Sequence, residues 1–445
     1  MRSTVQRLHI PLFIEMLEAA GHTDHNLVHD LIHGFAVIGE MDAGGQGTDV
    51  EGGKGTHGKP ANYVVPDLEE LHSHCQKVNA RTLAQAEPDQ NAEAVWEKTK
   101  EEVKRGLISA LVPVADVDLR SVLLVRRFGI SQLGVNGWKI RPIDDFRHNE
   151  ANKYAMTWES TSNDREDTIT AAITMLQQGL AEQGVEEKVL VGLEDFVSAF
   201  KTVAPTESQR WAMHMLVFDT DARVWRVGEL LTMPFGAMGS VLAWWRCATA
   251  QKIIMRRLFE MLVFYYIDDV QQIETQSTAA EGKEIFQKIM NTLGWALDEK
   301  NSQDMSSEVR CLGSSLQVTE VGVTWSLCQD KAERWDEELR QCQKSDVMSA
   351  ETAGRLCGKL QFGAERVFGR AGRAALRPLV RRQHSSEANT LTKRLRSCIR
   401  WWRAYLATNP KRSIFWNDRG GHRADVIIYT DAERFGRIGI VALNL

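Results

Sequence analysis

The sequence predicts an α+β fold in which β-hairpins and helices alternate over several domains. Three observations lead there. Apolar runs of strand length come in adjacent pairs around short polar turns: Met213–Phe218 and Arg223–Leu230 around Asp219–Ala222, then Leu262–Ile267 and Val270–Glu274 around Asp268-Asp269. Longer stretches with helical apolar spacing lie beside them, Gly239–Glu260 and Glu281–Leu293. The chain has 445 residues, 43% hydrophobic and 25% charged, which is a globular composition and enough for about two to four domains.

The elements follow in order. Residues 1–41 carry helix-like spacing in Phe13, Met16 and Leu17, and again in Leu27 and Leu31. Seven glycines in 42–59 predict a flexible linker, and 60–94 read as a helical lead-in. Val95, Thr99, Val103 and Leu107 step by four along a charged helix. Two β-rich runs follow, Ser121–Phe128 and Trp138–Phe146, then a helix from Asp167 as N-cap through Leu176. Val189–Leu193 has the pattern of a short buried strand. Ile285, Phe286, Ile289, Met290 and Leu293 line one helix face that ends at Gly294. Strands are expected around Arg310–Val318 and Gly322–Leu327. Beyond Asp346 the chain turns helical and basic, returning to a strand only at Val426–Thr430.

Charge and cysteine usage narrow the function classes. The net charge of −5 argues against a surface that grips nucleic acid all over. That mean hides a split: Arg355–Arg423 holds 17 Lys/Arg against three acids, a net of +14, leaving −19 for the rest. The longest uncharged apolar stretch, Leu230–Trp245, has 16 residues and is interrupted by Pro234, Gly236 and Gly239. A spanning helix needs about 20, so no membrane segment is expected, and residues 1–21 carry no secretion signal. Seven scattered cysteines without Cys-x-x-Cys predict reduced thiols, an intracellular protein (cytoplasmic or nuclear) and no cysteine zinc site. His22, His25, His29 and His33 have helical spacing, but no Glu or Cys completes a zinc motif, so they read as surface histidines.

The chemistry concentrates in carboxylates. Asp195 ends one apolar strand, and Asp268-Asp269 is wedged between two others. Carboxylates gathered at one sheet edge repel one another unless cations are bound. Oxygen-only ligands suit Mg²⁺, which takes a few carboxylates plus substrate phosphates. Taken alone, Asp-Asp reads as a polar hairpin turn and no more.

Its company makes the pattern specific. Phe264-Tyr265-Tyr266-Ile267-Asp268-Asp269-Val270 resembles the Tyr-x-Asp-Asp motif of reverse transcriptases. Leu193-Glu194-Asp195-Phe196-Val197-Ser198-Ala199-Phe200 is similar to the motif carrying their first metal-binding Asp. Met233-Pro234-Phe235-Gly236 looks like Leu-Pro-x-Gly, and Leu293-Gly294-Trp295 with Lys300 looks like the Gly…Lys motif. Cys311-Leu312-Gly313 matches the primer grip, and Lys139-Ile140-Arg141-Pro142-Ile143-Asp144-Asp145-Phe146-Arg147 resembles the fingers hairpin. These motifs occur in the family's order across about residues 95–380. Phe235 stands where retroviral enzymes carry Gln, so the resemblance is nearest to retrotransposon enzymes, DIRS-like or Gypsy-like.

The resemblance implies a right-hand polymerase: fingers 95–188, a palm at 189–329 built on a ferredoxin-like antiparallel sheet, a thumb at 330–395 and a basic connection at 396–425. Val426–Ala432 resembles the first strand of a ribonuclease H domain with Asp431 as its first carboxylate; 426–445 then read as a truncated start, with no ribonuclease H activity expected. The implied reaction is RNA-directed DNA synthesis with two Mg²⁺ ions (Mn²⁺ as a substitute), a primed RNA or DNA template and dNTPs. By the same resemblance, Asp195 and Asp268 hold the metals, Asp269 is a third carboxylate, and the Phe196 carbonyl completes one metal. Lys139 and Arg141 meet the triphosphate. Phe200, Phe235 and Gly236 border the nucleotide, with Phe200 blocking a 2′-hydroxyl. Lys300 is a candidate general acid for pyrophosphate, or a plain surface lysine. Tyr266, Leu312 and Gly313 lie at the primer, and Arg147 touches template or packs on the fingers. Arg366, Arg370, Arg373 and Arg377 recur at three or four residues, a basic helical stripe suited to duplex phosphates. Two other readings stay open at this level: an inactive remnant that only binds nucleic acid, and an RNA-templated RNA polymerase, which calls for a smaller residue at Phe200. Oligomeric state is not legible.

Overall fold

Apolar periodicity is converted into paired strands covered by helices. The computed structural model describes residues 8–41, 44–45, 48–49, 67–134, 137–157, 159–367, 371–385, 389–416, 426–432 and 438–444. The chain opens with α1 (Ile10–Ala19), whose Leu12 N–H donates to the His9 ring, and α2 (Leu27–His33). Short strands β1 (Gly39–Met41) and β2 (Thr48–Asp49) follow. Then come α3 (Leu68–Ser73), capped by the Asp67 carboxylate, α4 (Cys75–Ala84) and α5 (Ala92–Lys104). After β3 (Val112–Pro113), the strands β4 (Leu124–Gly134) and β5 (Gly137–Asp144) form a long antiparallel hairpin. Next are β6 (Ala155–Thr157), β7 (Glu159–Ser160), α6 (Glu166–Glu182) and β8 (Val189–Asp195). The hairpin β9 (His214–Asp219) and β10 (Val224–Glu229) leads to α7 (Met238–Leu258). The second hairpin, β11 (Leu262–Tyr266) and β12 (Asp269–Thr275), leads to α8 (Ala279–Leu293).

The remaining chain forms β13 (Gln303–Ser306), β14 (Glu308–Cys311), β15 (Ser314–Val318) and β16 (Gly322–Leu327). Helices α9 (Gln329–Ser345), α10 (Ala350–Phe362), α11 (Arg377–Gln383) and α12 (Lys393–Ala407) come next. It ends in β17 (Lys411–Phe415), β18 (Val426–Ala432) and β19 (Ile438–Asn444). The main sheets have the orders β3-β10-β9-β4-β5, β11-β12-β8-β13 and β14-β15-β16-β17. The last is antiparallel throughout, and β4 runs parallel to β9.

Two compact units share the chain: residues 1–164, 193–272 and 281–303 form one, and 165–192, 273–280 and 304–445 the other. The first is centred on aromatics that meet edge to face. Trp244 of α7 meets Phe196 at 5.1 Å and Trp295 at 5.6 Å, and Phe13 of α1 packs edge-on against Trp295 at 6.2 Å. The N-terminal helices are therefore part of this core. They are also pinned by charge: the Arg246 guanidinium forks Asp24 at 2.6 and 2.8 Å and reaches Asp30 at 2.5 Å. The second unit packs Trp335, Leu356, Leu360, Leu379, Leu395 and Trp402 between its helices. There the Trp325 indole donates to the Thr170 hydroxyl at 2.8 Å, docking β16 on α6.

Several boundaries differ from expectation. Helix α6 begins one residue before Asp167, with extended Arg165 as N-cap, and runs on to Glu182. Glu166 and Asp167 sit in its first turn, where their charge suits the positive helix end. The 42–59 segment contains β2, paired with β7; positions 42–43, 46–47 and 50–66 lie outside the described residues. The Arg310–Val318 run is two strands, because Leu312 and Gly313 have φ of 48° and 76° and fold it into a hairpin. A strand returns at β17, before Val426, to extend the β16 edge. Helix α5 stops at Lys104, since Gly106 turns left-handed (φ 72°) before Leu107.

The Asp24–Arg246 fork, with side chains 0% and 3% exposed, generates a stability prediction. Asp24→Ala leaves a buried guanidinium short of its counter-charge and costs about 3–5 kcal/mol in chemical denaturation. A loss below about 1 kcal/mol, the scale of an exposed pair, would show that the pair is not buried as described.

Candidate active site

Strand β8 buries Val191 and Leu193 and delivers Asp195 at its end. The Asp195 backbone is clamped on both sides: its N–H donates to the Ser302 hydroxyl at 3.4 Å, and its carbonyl accepts from the Asp298 N–H at 2.7 Å. The β11–β12 turn presents Asp268 and Asp269. Its first residue, Ile267, has φ of 57°, a left-handed conformation costly for a β-branched side chain. The turn is held from beneath, where the Trp244 indole donates to the Ile267 carbonyl at 2.8 Å. On its flank the Asp164 carboxylate accepts from the Tyr265 N–H at 2.9 Å and from Lys252 at 3.1 Å.

The three carboxylates are close enough to oppose one another's charge. Burial, then repulsion from Asp268, pushes Asp195 up to about 6, against partial relief from the Asn301 side chain. Burial, then Asp268 and Asp195, pushes Asp269 up to about 7. Asp268 is also raised by burial, partly offset by its own backbone and by the Arg141 guanidinium. Arg141 is exposed on β5, so a cation from the β4–β5 hairpin stands within electrostatic reach of Asp268. Among the described residues no three His, Cys, Asp or Glu side chains stand close enough together to hold a metal ion by themselves. The donor set nevertheless fits Mg²⁺: oxygen-only, partly desolvated, mutually repelling, and short of the ligands that substrate phosphates add.

Phe200, Phe235 and Gly236 lie together beside Asp144. Phe200 lies in a tight 3-10 turn after left-handed Ser198, 8% exposed, its ring 5.0 Å from Phe235. Gly236 has φ of 109°, and a Cβ there would stand 2.1 Å from the Asp144 carbonyl, so the close approach requires glycine. The Asn152 side chain holds this loop, donating to the Gly236 carbonyl at 2.8 Å and accepting from the Met238 N–H at 3.0 Å. Sequence reasoning missed Asn152 and Asp164, which carry no spacing signal; only their partners reveal them.

Other expected residues separate. Lys139 and Arg147 are exposed, and Tyr266 ends β11 half-buried. Phe196 is buried against Trp244, and its backbone partly offsets the rise at Asp195. Lys300 is exposed in a turn where its N–H donates to Asp298 at 3.1 Å. Leu312 and Gly313 make the β14–β15 turn, and the Gly313 carbonyl accepts from Lys331 at 2.6 Å. The basic stripe is not one helix. It breaks after Phe362 into a π turn, left-handed Gly372 (φ 85°), a 3-10 turn and α11; Arg370 lies outside the described residues. Arg366 pairs with Glu166 at 3.2 Å and covers the Phe362 ring, so its charge is spent inside the unit. Arg373 is exposed. Arg377, Arg381 and Arg394, with buried Arg382, instead line a cavity of about 460 Å³ between α11 and α12. His25, His29 and His33 are exposed, whereas His22 is half-buried with both ring nitrogens unbonded.

No family model and no curated protein matches this chain. Among the solved structures similar to it are two of a viral enzyme. A foamy viral protease-reverse transcriptase in complex with dsDNA is 14% identical, with 81% of this chain and 65% of that one covered at a TM-score of 0.47. The foamy viral protease-reverse transcriptase dRH in complex with dsDNA is 13% identical, with 98% and 68% covered at 0.51. This chain thus spans about two thirds of the length of either. The second likeness establishes a mixed α+β fold of reverse transcriptase type.

The raised carboxyls predict a pH dependence. Groups whose folded value exceeds the ordinary 3.8 stabilise the metal-free protein fully below that value, and the contribution is lost as pH rises through about 6 and 7. Denaturant unfolding with and without Mg²⁺ checks this. The Mg²⁺-induced gain in midpoint should grow across the same range and vanish in Asp195→Asn. A gain independent of pH contradicts the site.

Proposed function

We propose that this chain is an RNA-directed DNA polymerase of retroelement type, extending a primer with dNTPs by two-metal nucleotidyl transfer. One observation carries the reading: Asp195, Asp268 and Asp269 crowd together half-buried, with Arg141 in reach, on a fold of reverse transcriptase type. Two bound Mg²⁺ ions supply activation of a 3′-hydroxyl and stabilisation of the leaving pyrophosphate. Asp195 and Asp268 hold them, with Asp269 and the Phe196 carbonyl as further oxygens.

Catalysis of this kind depends mainly on positioning and charge. Lys139 and Arg141 bind the triphosphate, where the Arg fork suits phosphate oxygens. Phe200, backed by Phe235, closes the space a 2′-hydroxyl would fill. Gly236 lets backbone approach the nucleotide, and Tyr266 borders the primer end. Lys300 is exposed and free to protonate the pyrophosphate as it leaves. On the second unit, Leu312 and Gly313 steady the primer, and the Arg377–Arg381–Arg394 group, with Arg373, offers the phosphate-binding charge.

Primer extension on RNA and DNA templates tests the reading. Wild type should incorporate dNTPs with Mg²⁺, and Asp268→Asn should lower the rate by at least about 10²–10³-fold while leaving duplex binding within a factor of about two. No incorporation by folded wild type, or full activity in Asp268→Asn, defeats it. Phe200→Ala should admit ribonucleotides, and unchanged sugar selectivity removes the gate assignment. Arg377→Ala/Arg381→Ala should weaken duplex binding and flatten its salt dependence by about 0.9 per lost phosphate contact; an unaltered slope rules those arginines out.

A further inference from the structure

Four charged side chains from four separate elements meet inside the first unit, and none has a role in the reaction above. They are Glu102 of α5, Arg127 of β4, Asp144 at the end of β5, and Lys201, which directly follows Phe200. Arg127 and Asp144 are 1% and 2% exposed, and Glu102 and Lys201 are 14% and 11% exposed. Two cations and two anions balance. A buried charge is tolerated only when paired and hydrogen-bonded, so each side chain constrains the placement of the next.

The contacts form a closed circuit. Arg127 forks Asp144 through Nε and Nη2 at 2.8 and 2.9 Å. Its Nη1 donates to Glu102 Oε2 at 2.8 Å, and the other Glu102 oxygen accepts from Lys201 Nζ. From Asp144 the circuit continues through backbone. The Asp144 N–H donates to the Phe235 carbonyl at 3.3 Å, and the Asp144 carbonyl fills the space beside Gly236. The Phe235 ring then packs on Phe200 at 5.0 Å, next to Lys201, where the circuit began.

Burial lowers the Lys201 amine from its usual range, against the pull of Glu102. Burial acts on Glu102 in the opposite sense to Arg127 and Lys201, and the two cations prevail, holding its carboxyl below the usual range. Both groups thus depend on their partners to stay charged. Apolar residues would fill the same volume without that demand; ion pairs with fixed geometry specify register instead.

We propose that the Glu102–Lys201 pair, anchored on Arg127 and Asp144, sets where Phe200 stands against the sugar of the bound nucleotide. Glu102 and Lys201 are then positioning residues for sugar selection, acting through Phe200. Arg141 lies three residues before Asp144 on β5, so the same cluster ties the phosphate side of the site to the sugar side. The inference rests on the polymerase reading.

The double variant Glu102→Gln/Lys201→Met removes the outer pair together and leaves the Arg127–Asp144 fork, so no buried charge is orphaned. It should unfold cooperatively and keep its dNTP kcat within about twofold, while KM rises and the dNTP-to-rNTP ratio of kcat/KM falls about tenfold. Lys201→Arg, which keeps the charge, should retain the wild-type ratio. Lys201→Gln, read in the same way, keeps the test open should the double variant fail to fold. Wild type that incorporates no dNTP sinks the polymerase reading and this inference with it. Active wild type beside a folded variant with unchanged sugar ratio sinks this inference alone.

Discussion

Half-buried carboxylates crowded together are the constraint on which the rest of the site depends. Asp195 and Asp269 sit at the ends of neighbouring strands β8 and β12, with Asp268 in the turn between β11 and β12. Asp268 raises the proton affinity of Asp195 and Asp269, and Asp195 that of Asp269, so the arrangement is held against its own repulsion. Holding it takes rigid support: the Trp244 indole under left-handed Ile267, Asp164 on the flank, and Ser302 and Asp298 on either side of Asp195. Strain and repulsion stored together at one point are the mark of a site that binds a counter-charge.

Charge is handled differently elsewhere. The buried Arg246 and Arg127 sites are neutralised within the protein and fix elements distant in sequence. In the basic C-terminal segment much of the excess is absorbed locally. Arg366 meets Glu166, Arg403 meets Asp336, Arg396 meets Asp346 and Arg412 meets Asp167. The net of +14 read from Arg355–Arg423 therefore overstates the charge free for a partner. Among the described residues, Arg377, Arg381 and Arg394 gather around one cavity. A sequence-level sum counts charges, whereas binding depends on which of them lack partners.

Much of the fold was legible because it follows local rules. Both central hairpins, α7 and α8 fell where periodicity and turn residues put them, and the order of motifs marked Asp195, Asp268 and Asp269 before any geometry. Less legible were features set by contacts across the chain. Glu166 begins α6 through charge at a helix end, a choice that Asp167 makes equally plausible from sequence. Leu312 adopts positive φ without any sequence signal for it. The stripe from Arg366 to Arg377 has helical spacing, yet left-handed Gly372 interrupts it, and Arg366 turns to Glu166. The Asp24–Arg246 fork joins residues 222 positions apart, so nothing local announces that the N-terminal helices belong to the core.

The central claim is that the crowded carboxylates are a divalent-cation site completed by nucleotide. Mn²⁺ titration followed by electron paramagnetic resonance, with and without a dNTP, reads that directly. The account predicts saturable Mn²⁺ binding that tightens when dNTP is present and is lost in Asp268→Asn, with the variant folded. Equal Mn²⁺ binding by wild type and Asp268→Asn, or none by either, contradicts it.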